Sequence, residues 1–417
     1  MPRDLNACLT QTETYLREKL LPFWIARAVE PTHGGFQTNY DRNGRRTSVT
    51  EKTLLCQGRC IFALSQAARL GFDWAGSRAM IRQGINFLLR HFRDPEYDGY
   101  YWIVEEDGRP KDMSKVVYGH SFLVYALAEH ALLTGDKRSA KEAARLADLL
   151  LCKAADVRYG GFYEHFNREF KPTVVRKDGQ VNKSLDVHMH LMEAFTTLYE
   201  LTHDQRHREL LEQIIALIFD RMIEPKSGVG ISMFLADWTP IPNVELGTVW
   251  GSDRFAKEKP VEITSYGHNI ELAWLYLHAQ DILGIPREKS LARVRPIFEH
   301  TFEKGVDWEC GGLFVEGLRE GRATETNKEF WQQAEALVGF LDAYRLTGEE
   351  KYLRAFQNIH DFVFTKMINW EQGEWFPLLD RQGNVLWDYM GHNWKICYHT
   401  LRATCLTVKK LRELARA

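Results

Sequence analysis

Apolar residues recur at spacings of three and four along twelve windows of the chain, the mark of helices with one buried face. SFLVYALAEHALL (121–133) and ALVGFLDAYRL (336–346) are examples. The windows come in pairs, joined by short polar turns: LGFDWAGS (70–77), LTGDKRS (133–139), LTHDQRH (201–207), LGIPREKS (283–290) and LTGEEKY (346–352). Between pairs the spacing changes to aromatic alternation behind a glycine step, which suits short antiparallel hairpins. Six segments carry that step: HGGFQTNYDRNG (33–44), YDGYYWIVEEDG (97–108), YGGFYEHFNREF (159–170), SGVGISMFLADW (227–238), CGGLFVEGLREG (310–321) and QGEWFPLLDRQG (372–383). With Gly35, Gly99, Gly161, Gly228, Gly312 and Gly373 as markers, the intervals are 64, 62, 67, 84 and 61 residues.

A period that fills the chain predicts a repeat architecture. The first window, residues 5–29, has no preceding partner and the last, 394–414, has none following, so the two can pair and close a ring. The expected fold is all-α: one (α/α)6 barrel over residues 1–417, with six inner and six outer helices and short hairpins at the end where the inner helices start. Eleven of the thirteen prolines fall outside the helical windows, Pro22 and Pro296 being the exceptions, as helix-breaking chemistry requires.

A length of 417 residues would otherwise suggest two or three domains, but no Ser/Pro/Gly-rich linker interrupts the period. Hydrophobic residues at 45% and aromatics at 12% are ample for a packed core. A formal net charge of −2 gives no reason to expect nucleic acid or an anionic membrane as partner. The start, MPRDLNACLTQTETYL, lacks the apolar core of a signal peptide. Seven cysteines without a CxxC spacing fit a reduced, cytoplasmic chain. The expected protein is a cytoplasmic monomer or homodimer acting on a small molecule.

In such a ring the inner-helix starts converge on one funnel, and each repeat brings a functional side chain to a similar offset. Arg59 lies 24 residues after Gly35, and His120 lies 21 after Gly99. His188 and His190 lie 27 and 29 after Gly161, and His268 lies 40 after Gly228, in the long interval. Trp331 and Glu335 lie 19 and 23 after Gly312, and His399 lies 26 after Gly373. A lone histidine at a helix start is commonly a cap or a core residue. His268 and His399, on apolar helices with flanking aromatics, point instead to a site. Arg59 amid CQGRCIF needs an acidic partner or a ligand. His188 and His190, at i and i+2, do not share a helix face, so no metal site is expected. Trp331, Trp375 and Trp394 suit either core packing or a sugar ring. There is no P-loop, no dinucleotide fingerprint and no GxSxG elbow. Chemistry is left to His, Glu, Asp and Arg, and histidine pairs suit proton abstraction and return near neutral pH.

The motifs HGGF (33–36), QGR (57–59), DGRPKDMSKVVYGHSF (107–122), HMHLMEAF (188–195), SYGHNIELAWL (265–275), FWQQAEALVGF (330–340), GEWF (373–376) and WKICYH (394–399) resemble the N-acylglucosamine 2-epimerase superfamily over nearly the whole chain. That superfamily includes cellobiose 2-epimerases, mannose 2-epimerases and aldose–ketose isomerases of the mannose isomerase type. HMH, GHNIE and the late YH are most similar to the cellobiose 2-epimerase branch. The resemblance implies an (α/α)6 barrel and a cofactor-independent 2-epimerase of reducing glucose- or mannose-type sugars, acting through a cis-enediolate. His268 and His399 would be acid and base on opposite faces of the sugar. His190 and Glu271 would hold the C1 and C2 oxygens or orient a histidine, and Arg59 would bind where the enediolate develops. Tyr118, His120, Asp186, His188, Trp331, Glu335, Trp375 and Trp394 would contact substrate, the tryptophans 331 and 394 by stacking. No cofactor or metal is implied.

Four features depart from the family pattern. Phe330-Trp331 replaces Trp-Trp, Asn269 replaces Asp, and Asp186 stands where Asn is common. The fourth interval also carries about 20 extra residues around 243–265, expected to overhang the funnel or make a subunit contact. The alternative readings are an aldose–ketose isomerase, an N-acylglucosamine 2-epimerase, a glycoside hydrolase using a carboxylate pair such as Asp186 and Glu335, and a non-catalytic helical scaffold.

Overall fold

The computed structural model describes residues 5–173, 182–244 and 258–416. The chain opens with α1 (Leu5–Tyr15), which runs through a π-helical turn at Leu16–Leu20 into α2 (Leu21–Arg27). Then follow α3 (Leu54–Arg69), α4 (Ser77–His91), α5 (Val117–Thr134), α6 (Lys137–Lys153), α7 (Leu185–Thr202) and α8 (Gln205–Leu217). The second half adds α9 (Tyr266–Leu283), α10 (Leu291–His300), α11 (Phe330–Thr347), α12 (Glu350–Phe362) and α13 (Cys397–Leu414). The odd-numbered helices from α3 to α13 are buried almost throughout and form the inner ring. The others present an apolar stripe inward and charge outward, as in α6, where Ala143, Leu146, Ala147 and Leu150 are buried. This is the (α/α)6 barrel that the repeat requires.

Local chemistry sets the helix ends. Thr53, Ser184 and Ser265 cap α3, α7 and α9 by accepting from the amides of Cys56, Val187 and His268. Gly135, Gly284 and Gly348 end α5, α9 and α11 in the left-handed conformation and turn the chain into the next outer helix. The ring closes where α1 packs on α13. Arg412 reaches Glu13 at 2.6 Å, and Tyr15 donates to the Gly373 carbonyl at 2.8 Å.

The six marker glycines all have positive φ, from 67° at Gly99 to 95° at Gly373, a conformation an L side chain adopts only with strain. Each turn is then latched to its inner helix by the helix's fourth residue. Gln57 accepts from Phe36 N–H at 2.8 Å, His120 from Tyr100 at 3.0 Å, His188 from Phe162 at 2.9 Å, Asn269 from Gly230 at 2.9 Å and Gln333 from Leu313 at 2.6 Å. The sixth copy uses Thr400, which donates to Glu374, the residue after Gly373.

A second latch lies two residues before the inner helix. Lys52, Lys115, Lys183, Lys328 and Lys395 are essentially buried there and pair with Glu30, Asp94, Asp156, Asp307 and Glu374 at 2.7–3.4 Å. Only the fourth copy differs, with Thr264 donating to the Gly230 carbonyl at 2.8 Å. Burying a lysine this deep is tolerable only because each ammonium faces a carboxylate.

The expected hairpins form in three copies, pairing Ile103–Val104 with Pro110–Asp112, Glu316–Leu318 with Ala323–Glu325 and Leu378–Leu379 with Val385–Trp387, and each is extended by a strand from the preceding repeat. The pair Lys52–Thr53 before α3 hydrogen-bonds to Ile103–Val104 of the next copy, and Lys328–Glu329 before α11 to Leu378–Leu379. Hairpins this short are marginal alone, and the strand added from the neighbouring copy ties the repeats together. These small antiparallel sheets rim the end at which the inner helices start. The inserted region 243–265 lies partly there too, but residues 245–257 fall outside the described residues. Among the described residues no helix is long and apolar enough to cross a membrane. All seven cysteines carry free thiols, with the Sγ atoms of Cys60 and Cys397 at 3.9 Å across the α3–α13 seam.

Candidate active site

The sixth residue of each inner helix faces the barrel axis, because it lies close to one turn beyond the second and third residues on the same stripe. These six are Arg59, Phe122, His190, Glu271, Glu335 and Arg402, and all are buried. They meet across the ring. Arg402 Nη2 lies 2.7 Å from Glu271 Oε1 and from Glu335 Oε1, while Nη1 contacts Glu193 Oε1 and the Tyr398 hydroxyl. The Arg59 guanidinium sits 4.2 Å over the Phe122 ring and 4.6 Å over Tyr398. One turn towards the mouth stand Tyr118, Asp186, His268, Trp331 and His399.

The two histidines singled out from sequence both pack against one indole, that of Trp331. Ring centroids are 4.7 Å apart for His268 and Trp331 and 5.6 Å for Trp331 and His399. His399 Nδ1 donates to Glu335 Oε1 at 2.6 Å, and Trp274 Nε1 holds the other oxygen at 3.0 Å. Burial, then the positive charges of Arg59, Arg402 and His190, push the His399 pKa well down. A neutral imidazole with its proton fixed on Nδ1 leaves the Nε2 lone pair as a base. Burial and Glu193 push Glu335 up, while Arg402 and Trp274 pull it down.

His190 is the opposite case. Burial disfavours its charge, but Asp186, Glu193 and Glu271 outweigh that and raise it to about 9. Its Nδ1 donates to Glu193 Oε2 at 2.9 Å, and its Nε2 lies 3.2 Å from Asp186 Oδ1. Asp186 and Glu193 are held down at about 2: burial opposes them, but His190 and a second cation each (His268 and Arg402 respectively) prevail. Glu271 is raised to about 7 by burial and by Glu335.

Several polar atoms here make no hydrogen bond among the described residues: Arg59 Nε, Arg402 Nε, Glu271 Oε2 and Asp186 Oδ1. Orphaned donors and acceptors at one spot are costly in a finished core and mark where a hydroxyl-rich ligand would complete the set.

The structure thus gathers Arg59, Tyr118, Asp186, His190, His268, Glu271, Trp331, Glu335 and His399, with Trp394 at the edge, its ring 6.0 Å from Tyr118. Tyr118 also accepts from Arg59 Nη2 at 2.8 Å. Three expected substrate contacts fall elsewhere. His120 and His188 have both ring nitrogens engaged by backbone, since besides the glycine-turn amides their Nδ1 atoms donate to the carbonyls of Val116 and Ser184. Both are fully buried latches, and burial lowers each to about 4. Trp375 is 1% exposed and bridges Ile368 within the sixth glycine turn. Asn269, a departure from the family motif, is likewise a latch.

Four residues that sequence reasoning missed complete the floor: Glu193, Trp274, Tyr398 and Arg402. Arg402 was findable, because it continues the stripe that includes Arg59, His190, Glu271 and Glu335. Glu335 is fully buried, with both oxygens engaged, and so offers no free carboxylate to a hydrolytic pair with Asp186. Glu271, Glu335 and His399 present ligand atoms within 4.8 Å of one another. Their cationic partner is nevertheless supplied by the chain, as Arg402.

The fold is an (α/α)6 barrel, and the family and relatives it matches make the chain an enzyme of the isomerase class. The chain belongs to the N-acylglucosamine 2-epimerase family, whose model matches residues 34–403. It is 25% identical over 401 residues to the cellobiose 2-epimerase of Bacteroides fragilis, covering 93% of this chain and 96% of that one. The N-acylglucosamine 2-epimerase of Bos taurus is 24% identical, covering 95% of this chain and 90% of its own. The structure of cellobiose 2-epimerase from Spirochaeta thermophila matches with a TM-score of 0.86 at 29% identity, covering 99% of this chain and 98% of that one.

Proposed function

We propose that the protein interconverts reducing sugars of the glucose and mannose type at C2, with disaccharides such as cellobiose as the leading substrates, using His268 and His399 as the two proton-transfer groups. The observation that carries this reading is that both imidazoles pack against the Trp331 ring, next to the buried Arg59, His190 and Arg402. The open-chain aldehyde acidifies the C2 proton. His399, neutral and anchored by Glu335, removes it from one face. The cis-enediolate that forms spreads negative charge over the C1 and C2 oxygens. Arg59 and the cationic His190 stabilise it there, in a site already organised for that charge. His268 returns a proton to the opposite face of C2, and the epimer results. The aldehyde itself is the electron sink, so the step needs no cofactor. Reprotonation at C1 instead would give the ketose, so a minor isomerase activity at the same site follows from the same chemistry.

The test uses His268→Ala and His399→Ala with cellobiose, glucose, mannose and N-acetylmannosamine, followed by NMR. Each variant should lose epimer formation by at least about a hundredfold. Turnover that survives both substitutions, or hydrolysis of cellobiose that survives His268→Ala, would overturn the assignment.

A further inference from the structure

Among the described residues, Asp186 is the one carboxylate within 4 Å of two functional imidazoles. Its Oδ1 lies 3.2 Å from His190 Nε2 and 3.6 Å from His268 Nε2. Neither contact is aligned as a hydrogen bond, and Oδ1 has no hydrogen-bond partner among the described residues. Its side chain is 35% exposed towards the mouth, whereas that of His190 is 2% exposed. On its far side His190 is held by Glu193, itself bound by Tyr398 and Arg402. The His190 ring therefore lies between two carboxylates, one in the floor and one in the wall.

We infer that Asp186 is a positioning residue for proton transfer: its carboxylate keeps His190 as an imidazolium and aligns His268 beside it, rather than serving only as a hydroxyl ligand for the sugar. This rests on the two-histidine reading above. Its Oδ1 faces both imidazoles, and its negative charge would oppose a developing enediolate unless a cation lies between them. His190 is that cation. The other charged or titratable groups facing His190 are Glu271 and His268 from α9, Tyr398, His399 and Arg402 from α13, Tyr118 from α5 and Arg59 from α3. Asp186 and Glu193 are the two carboxylates that touch its nitrogens, so removing Asp186 removes one of its two direct counter-charges.

Asp186→Asn conserves shape and deletes the charge. Partners that orient a functional imidazole are typically worth ten- to hundredfold in activity, so kcat should fall by about that factor with KM changed less than about threefold. The alkaline limb of kcat/KM, set by His190 losing its proton, should move down by about one pH unit or more. Because the equilibrium constant is independent of pH, the shift must be equal for both epimers as substrate. Asp186→Glu should recover most of the alkaline limb while remaining slower than the parent. A readout independent of turnover is the imidazole NMR titration of His190, whose midpoint should drop in Asp186→Asn by about one unit or more. An unchanged alkaline limb and an unchanged His190 midpoint, with only KM raised, would overturn the inference and leave Asp186 a sugar ligand. If the parent protein exchanged C2 hydrogen on no sugar, the function itself would fail, while the His190 titration would still decide the role of Asp186.

Discussion

Glu335→Gln tests whether His399 is held as a base. The parent carboxylate accepts from His399 Nδ1 at 2.6 Å and from Arg402 Nη2 at 2.7 Å on the same oxygen. As His399 takes the C2 proton it becomes an imidazolium facing this carboxylate. At a charge separation of about 4 Å and an effective dielectric near 20, that attraction is about 4 kcal/mol. Glutamine keeps the shape but removes the charge, and its amide N–H can donate to Nδ1, driving the imidazole proton onto Nε2, where it blocks the base. A residual dipole recovers part of the loss, which leaves about 2–4 kcal/mol, or roughly 30- to 1000-fold in kcat/KM. The assay is epimer formation by NMR under subsaturating sugar, with circular dichroism to confirm the fold. Arg402 retains Glu193 and Glu271 as partners in the variant, so the barrel should stay intact. A well-folded Glu335→Gln protein within about fivefold of the parent would refute the anchoring role.

Three further outcomes follow. Lys183→Met should lower stability by about 3–5 kcal/mol, seen as a reduced Tm, because it leaves Asp156 buried without the one cationic side-chain partner it has among the described residues. His120→Gln imports the latch that the first and fifth repeats use, so Tm and kcat/KM should stay near parental values, whereas His120→Leu should destabilise by about 1–3 kcal/mol through an orphaned Tyr100 amide. The raised His190 pKa of about 9 means that its charge stabilises the fold fully below about pH 6.5 and progressively less as pH rises through 9. Tm should therefore fall more steeply between pH 6.5 and 9 in the parent than in His190→Gln.

The ring of six helix pairs was legible because period, pairing and turn chemistry all agree along the chain. The glycine markers also lead to the end of the barrel at which Arg59, His190, His268, Glu335 and His399 gather. What the spacing could not separate was neighbouring positions on one helix turn. His120 and His188 stand at the fourth position, which points to the glycine turn, while His190 stands at the sixth, which points to the axis. A difference of two residues rotates a side chain by about 200°, and offsets counted from a loop of variable length cannot resolve it. Counting from the helix start would have done so, and would have exposed the repeated lysine two residues before it in EKT, SKV, NKS, NKE and WKI. Arg402 answers to the same rule as Arg59, an arginine in an apolar helix that needs acidic partners, and its three carboxylates come from α7, α9 and α11, distant in sequence. Tyr398 and Trp274 carry no sequence signal that separates them from core aromatics.

The central claim is that hydrogen at C2 is exchanged through two histidines on opposite faces of the sugar. The most direct measurement is conversion of cellobiose in D2O, sampled by NMR within the first turnovers. The account predicts deuterium at C2 of the new epimer while recovered cellobiose still carries protium, and no deuterated epimer from His399→Ala. Epimer that retains its C2 protium, or deuterium appearing equally early in substrate and product, would contradict it.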